Sequence, residues 1–197
     1  IDFLLCLVKI LLATRSDLKL IITSATLDLE KFSAAFDGAP VLQVGGRMYP
    51  VRVDYRVPPA DQKEDLDYVE TAADAVDDIM RREPPGDVLV FMPTEQDILE
   101  TCEILEGKRY PGVTVLPLFA RLPGPQQGRV YTVPSPKIVV ATNVAETSLT
   151  IPGIRYVVDT GLARISQYLP GAGINSLPIR PISKASADQR KGRCGRV

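Results

Sequence analysis

The stretch Ala187-Asp188-Gln189-Arg190-Lys191-Gly192-Arg193-Cys194-Gly195-Arg196 decides how the rest of the chain is read. Taken as a helix, it places Gln189, Arg193 and Arg196 at i, i+4 and i+7, on one face. That face carries one amide and two guanidinium forks. Gly192 and Gly195 sit beside the arginines, and each costs about 1 kcal/mol relative to alanine inside a helix. Two such costs so close together imply that something approaches the backbone. A fork that is always charged and binds two oxygens at once suits phosphate better than lysine does. A solvated helix end would also favour arginine, through the helix dipole, but it has no use for paired glycines.

Working outward, strands and helices alternate. Val88–Met92, Val113–Leu118, Lys137–Ala141 and Arg155–Val158 are short aliphatic runs that read as buried strands. The stretches between them read as helices, so the expected class is α/β: a parallel sheet with helices on both faces. Thr94 is the expected cap of one helix, with Asp97 three residues on. Asp61–Arg82 reads as another helix, with Leu66, Val69, Ala73, Val76 and Met80 on one face. Nearer the start, Ile1–Leu12 and Leu29–Phe36 read as helices. Leu18–Ile22, Val41–Val44 and Val51–Tyr55 read as strands. Arg164–Leu169 and Ile174–Ile179, joined by Pro170-Gly171-Ala172-Gly173, read as a β-hairpin.

Two further strings stand at strand ends. Ala141-Thr142-Asn143-Val144-Ala145-Glu146-Thr147-Ser148-Leu149-Thr150-Ile151 is rich in small hydroxylated residues. Such groups, with backbone N–H, can follow a phosphate backbone without reading bases; a generic Thr/Ser-rich loop has the same composition. Thr23-Ser24-Ala25-Thr26 follows the Leu18–Ile22 run, where doubly wound folds place ligands.

These strings together resemble the superfamily 2 helicases. Residues 189–196 match the sixth motif, Q-R-x-G-R-x-G-R, at every fixed position. Residues 141–151 resemble the fifth motif, 89–98 the fourth and 24–26 the third, in family order. The string Leu18–Asp28 points to the DEAH-box branch, and the whole chain resembles a bacterial-type DEAH-box RNA helicase. The resemblance implies the tail of a first RecA-like domain up to about residue 50, then the second RecA-like domain over 51–197, with a β-hairpin insertion. It implies that Arg193 and Arg196 are arginine fingers on the γ-phosphate of ATP, with Gln189 placing phosphate or water. Tyr131, Ser148 and Gly192 would serve the nucleotide, Tyr131 by stacking on adenine where the family usually has phenylalanine. Thr94, Thr142 and Asn143 would lie along RNA, although Thr94 stands where the family usually has glycine. Ser24, Ala25 and Thr26 would couple hydrolysis to RNA binding. Pro152 replaces a ribose-contacting aspartate found in many members. The phosphate-binding loop, the DEAH tetrad and the ligands of Mg would precede Ile1, so this piece alone is expected to be inert.

Composition agrees with that reading and narrows it. The 197 residues are 45% hydrophobic, ample for a core. No histidine and three scattered cysteines (Cys6, Cys102, Cys194) argue against a metal site and a disulfide framework, and for a reduced, cytoplasmic setting. No run of 18 apolar residues and no cleavable leader is found, so no membrane span or signal peptide is expected. The net charge of −1 hides a polarised chain. Residues 61–106 carry 15 acidic and 3 basic side chains, and residues 107–197 carry 13 basic and 3 acidic. The C-terminal half is therefore the part fit to meet a polyanion. Two other functions fit the same motifs: a non-catalytic RNA-binding scaffold that has kept the fold, and a DNA-directed motor.

Overall fold

Unbroken aliphatic runs leave no alternate position for water, so they must be covered on both faces. A computed structural model, describing residues 2–23, 29–42, 49–56, 67–147, 149–169 and 173–196, builds its main sheet from such runs. The chain divides into two compact units, Ile1–Gly46 and Arg47–Val197. The first contains α1 (Asp2–Thr14) and α2 (Leu29–Ala35), with Lys9 Nζ donating to the Ala35 carbonyl.

In the second unit, α3 (Tyr68–Arg82) leads into β1 (Asp87–Phe91). There follow α4 (Glu95–Gly107), β2 (Thr114–Leu118), α5 (Gly124–Thr132), β3 (Lys137–Ala141), α6 (Val144–Thr147) and β4 (Ile154–Asp159). The four strands form one parallel sheet in the order β2-β3-β1-β4. Side chains alternate across it. Val88, Val90, Ile138 and Val140 pack with α3 and α4, against Ala73, Val76, Ile98, Cys102 and Leu105. Leu89, Phe91, Val139 and Ala141 pack on the opposite face with Leu116, Leu118, Val130, Ala145 and Ile154. This is the RecA-like α/β arrangement expected. Burial pushes the Cys102 thiol up to about 12, so it behaves as a small hydrophobe.

Local chemistry sets the helix ends. Asp67 caps α3, its carboxylate accepting from Val69 N at 2.8 Å. Thr94 and Asp97 form a reciprocal capping box at α4. Within the acidic stretch, Asp77 and Asp78 pair with Arg81 and Arg82 one turn on. Asp77 also accepts from Tyr110 Oη at 2.8 Å, tying α3 to the segment after α4. Burial, then that carboxylate, holds the Tyr110 phenol above its ordinary value.

Beyond β4 come β5 (Leu162–Arg164), β6 (Gln167–Leu169), β7 (Ile174–Ser176) and β8 (Ile179–Pro181). The inner pair β6/β7 and outer pair β5/β8 are both antiparallel, so the arms of the expected hairpin pair, with breaks at residues 165–166 and 177–178; residues 170–172 of the expected turn lie outside the described residues. The chain then enters α7 (Lys184–Lys191) and a 3-10 turn, Cys194–Arg196.

Three expectations are corrected. Residues 18–22 and 51–55 are not strands, and neither are 41–42. Aliphatic content favours a strand only when a neighbour supplies the ladder, and none pairs with these runs among the described residues. The helix read over 61–82 begins at Tyr68, where Asp67 provides the cap; Leu66 lies outside the described residues. The helix read across 187–196 ends at Lys191.

At the amino ends of β1 and β3 lies a buried ion pair. Lys137 Nζ is 2.8 Å from Asp87 Oδ2, and both side chains are almost wholly buried. Asp87 Oδ1 also accepts from Lys137 N at 3.1 Å. Removing one partner leaves a buried charge uncompensated, which costs about 3–5 kcal/mol. Asp87→Ala should lower unfolding free energy by that amount in urea denaturation, and Asp87→Leu with Lys137→Met should recover much of it. A loss below about 1 kcal/mol for Asp87→Ala would show that the pair is dispensable.

Candidate functional site

Loops after parallel strands emerge together at the carboxyl edge of a sheet, and ligands of open α/β folds sit there. Here that edge gathers the turns after Phe91, Ala141 and Asp159. Met92 N donates to the Ala141 carbonyl at 2.9 Å, and Thr160 Oγ1 to the Phe91 carbonyl at 3.0 Å. Over this edge lies the end of α7. Its Arg190 is 1% exposed, the largest fully buried side chain described. Arg190 Nε donates to Glu146 Oε2 at 3.0 Å, and Nη1 to Asp159 Oδ1 at 2.7 Å and the Leu162 carbonyl at 3.2 Å. Its guanidinium carbon stands 4.7 Å from the centroid of the Phe91 ring. A buried guanidinium is tolerable only when matched in this way.

α7 stops at Gly192, its C-cap, and the chain turns through Arg193 into the 3-10 turn. Gln189 and Arg193 therefore do not lie on one continuous α-helical face. Gly192, Arg193 and Gly195 are buried. Arg193 Nη1 donates to the Leu149 carbonyl at 3.0 Å, and Nη2 donates to the Glu146 carbonyl. Gly195 O accepts from Tyr49 N at 3.0 Å. Gln189 is half-buried. The Cys194 thiol donates to the Lys191 carbonyl and is raised by burial. Of Arg196 only the backbone is described.

This edge can be set beside known proteins. The model of the Helicase conserved C-terminal domain matches residues 71–197. The chain belongs to that family. Over its full length it is 52% identical to the ATP-dependent RNA helicase HrpA of Escherichia coli, and 51% identical to the HrpA homologue of Haemophilus influenzae. It spans 15% of the length of each of these curated relatives. In structure it resembles the E. coli DEAH/RHA helicase HrpB, with a TM-score of 0.85 and 36% identity. That match covers 98% of this chain and 24% of HrpB. The DEAH-box resemblance and the RecA-like fold expected from the motifs are thus borne out.

Of the other candidate residues, Thr94, Thr142 and Asn143 directly follow strands at the same edge. Thr142 N donates to the Leu118 carbonyl at 3.3 Å, and the Thr142 and Asn143 carbonyls accept from Ala145 and Glu146 N to start α6. Thr142 is half-buried and Asn143 exposed. Thr94 spends its hydroxyl on the α4 cap. It also lines a hollow of about 200 Å³ with Glu95, Gln96, Arg121 and Arg164. Tyr131 is 47% exposed on α5, whose Val130 holds it to the core. Ser148 and Ser24, Ala25 and Thr26 lie outside the described residues.

Sequence reasoning gave Arg190, Glu146 and Asp159 no role. A signal was available. Residues 107–197 hold only three acidic side chains, Glu146, Asp159 and Asp188, against 13 basic ones. Charged side chains are almost never fully buried unless paired, and two of these three pair with Arg190.

Proposed function

We propose that residues 51–197 are the second RecA-like domain of an ATP-dependent RNA helicase and that residues 1–50 are the tail of the first. In the intact protein, ATP hydrolysis would drive translocation on RNA and unwinding of duplexes in the cytoplasm. The observation that carries this reading is the 189–196 string itself, which matches the helicase sixth motif at every fixed position and sits at the carboxyl edge of the sheet. The names of the HrpA relatives support it.

The side chains present suit part of a nucleotide. Tyr131 offers an open aromatic face that can stack on a base. Arg193 offers a guanidinium fork beside the Glu146 and Leu149 carbonyls. Gln189 would place phosphate or the attacking water, and Gly192 would let backbone approach. Ser148 would relay nucleotide state. ATP itself supplies the transferable phosphoryl group. Positioning and charge stabilisation do most of the work in such transfers. To serve as a finger, Arg193 must exchange the Glu146 and Leu149 carbonyls for phosphate oxygens. Arg196 would supply the second fork. Among the described residues no three metal-ligating side chains converge. By the family resemblance, the ligands of Mg and the phosphate loop would come from the first RecA-like domain. Thr94, Thr142 and Asn143 would lie along the RNA backbone, and Ser24, Ala25 and Thr26 would couple the two events.

One observation favours a second reading, a non-catalytic RNA-binding scaffold: the Arg193 fork is already committed to two carbonyls. Mutation separates the two. In the intact protein, Arg193→Ala and Arg196→Ala should each cut ATP turnover by roughly 10³-fold, with far less effect on ATP binding measured by calorimetry. Near-normal turnover in both variants rejects the finger roles.

The β6/β7 hairpin would stand beside the RNA as a wedge at the duplex junction. Two three-residue strands are marginal alone, so the hairpin is placed by the β5/β8 pair at its base. Replacing residues 166–177 with a short Gly-Ser link should leave RNA-stimulated ATPase within a few-fold of normal and abolish unwinding. Parental unwinding in a strand-displacement assay would make the hairpin merely structural.

A further inference from the structure

Arg190 is a heavily committed charge, and its partners lie on different segments. Glu146 comes from α6, Asp159 from the end of β4, the Leu162 carbonyl from β5 and the Phe91 ring from β1. Glu146 is in turn held by α7 and its continuation at three points. Its Oε1 accepts from Ser186 Oγ at 2.8 Å, its Oε2 from Arg190, and its backbone carbonyl from Arg193. The short helix bearing Glu146 begins directly after Thr142 and Asn143, the residues assigned to RNA. The segment holding it ends in Gln189 and Arg193, the residues assigned to ATP. The links run through charge-assisted hydrogen bonds around one buried guanidinium, so a shift of one side would drag the other.

We propose that Arg190 is a positioning residue for hydrolysis: by clamping Glu146 and Asp159 it makes the Thr142–Thr147 turn and α7 one rigid piece, and so places the Arg193 fork. This rests on the reading of the intact protein as an RNA-stimulated ATPase. Arg190 touches neither phosphate nor RNA in this account. Its planar fork bridges two carboxylates and a carbonyl at once, which the single ammonium of lysine cannot do.

The test uses the intact protein with a single-stranded homopolymer RNA. Steady-state ATPase and thermal melting are measured for Arg190→Lys, Glu146→Gln, the double variant and Asp159→Asn. Arg190→Lys should lower kcat by about tenfold or more, since small misplacements of a catalytic group cost that much. KM for ATP should stay within about twofold, because ground-state binding is not the interaction lost. Glu146→Gln should act in the same direction. The double variant should be no worse than Arg190→Lys alone, the signature of residues acting through one link. A folded Arg190→Lys protein with parental kcat overturns the proposal, as do losses in the two single variants that multiply in the double. If Arg190→Lys melts below the assay temperature, Asp159→Asn decides by the same split. A lowered kcat at unchanged KM supports positioning, and parental kcat overturns it. Parental protein without RNA-stimulated hydrolysis would overturn the functional reading, and this role with it. A stimulated parent with unaffected variants overturns this role alone.

Discussion

Burying the Arg190 guanidinium is the constraint on which the functional edge of this domain depends. A lone charge taken from water into a protein interior costs several kcal/mol even after relaxation, and removing one partner of a matched pair costs about 3–5 kcal/mol. The cost is met here by Glu146, Asp159, the Leu162 carbonyl and the Phe91 ring. Those partners fix the positions of α6, the exit of β4, the root of the hairpin and the end of β1 relative to α7. Hydrophobic packing alone would not do so, because apolar contacts tolerate sliding that a two-carboxylate fork does not. The domain thus has an ion-paired hub at its carboxyl edge and a second buried pair, Asp87–Lys137, at the opposite edge of the sheet.

Between those two pairs the central strands β1 and β3 are apolar and fully buried. Alternate residues of β1 and β3 feed two separate cores, one under α3 and α4 and one under α5 and α6. The charge polarisation of the chain follows this layering. Acidic residues of α3 and its neighbours bond to nearby cations or face water. The C-terminal segment spends two of its carboxylates on Arg190 and keeps Arg121, Arg164, Arg180 and Lys184 exposed.

The parallel sheet was legible in the sequence because fully buried strands leave continuous aliphatic runs, such as Lys137–Ala141, which β3 reproduces to the residue. The α4 cap was legible because Thr94 and Asp97 carry their own spacing. Leu18–Ile22 misled because hydrophobicity is local whereas a strand needs a partner. The segment 187–196 misled for a subtler reason. Its spacing fits a helical face, but Gly192 ends the helix and Arg193 turns inward onto the carbonyls of Glu146 and Leu149. Motif matching put weight on Arg193 and Arg196 as phosphate ligands. It was blind to Arg190, whose role depends on carboxylates 31 and 44 positions away. Long-range ion pairing of that kind leaves no local period to read.

Because Arg193 holds backbone carbonyls in this structure, a finger role requires that it let go of them while the hub beneath it stays closed. The most direct measurement is a crystal structure of the intact protein trapped with ADP, aluminium fluoride and single-stranded RNA. The account predicts Arg193 Nη atoms at hydrogen-bond distance, about 3 Å, from the fluoride ligands, with Arg190 still joined to Glu146 and Asp159. A trapped complex in which Arg193 remains on the Glu146 and Leu149 carbonyls, away from the transferred group, would contradict it.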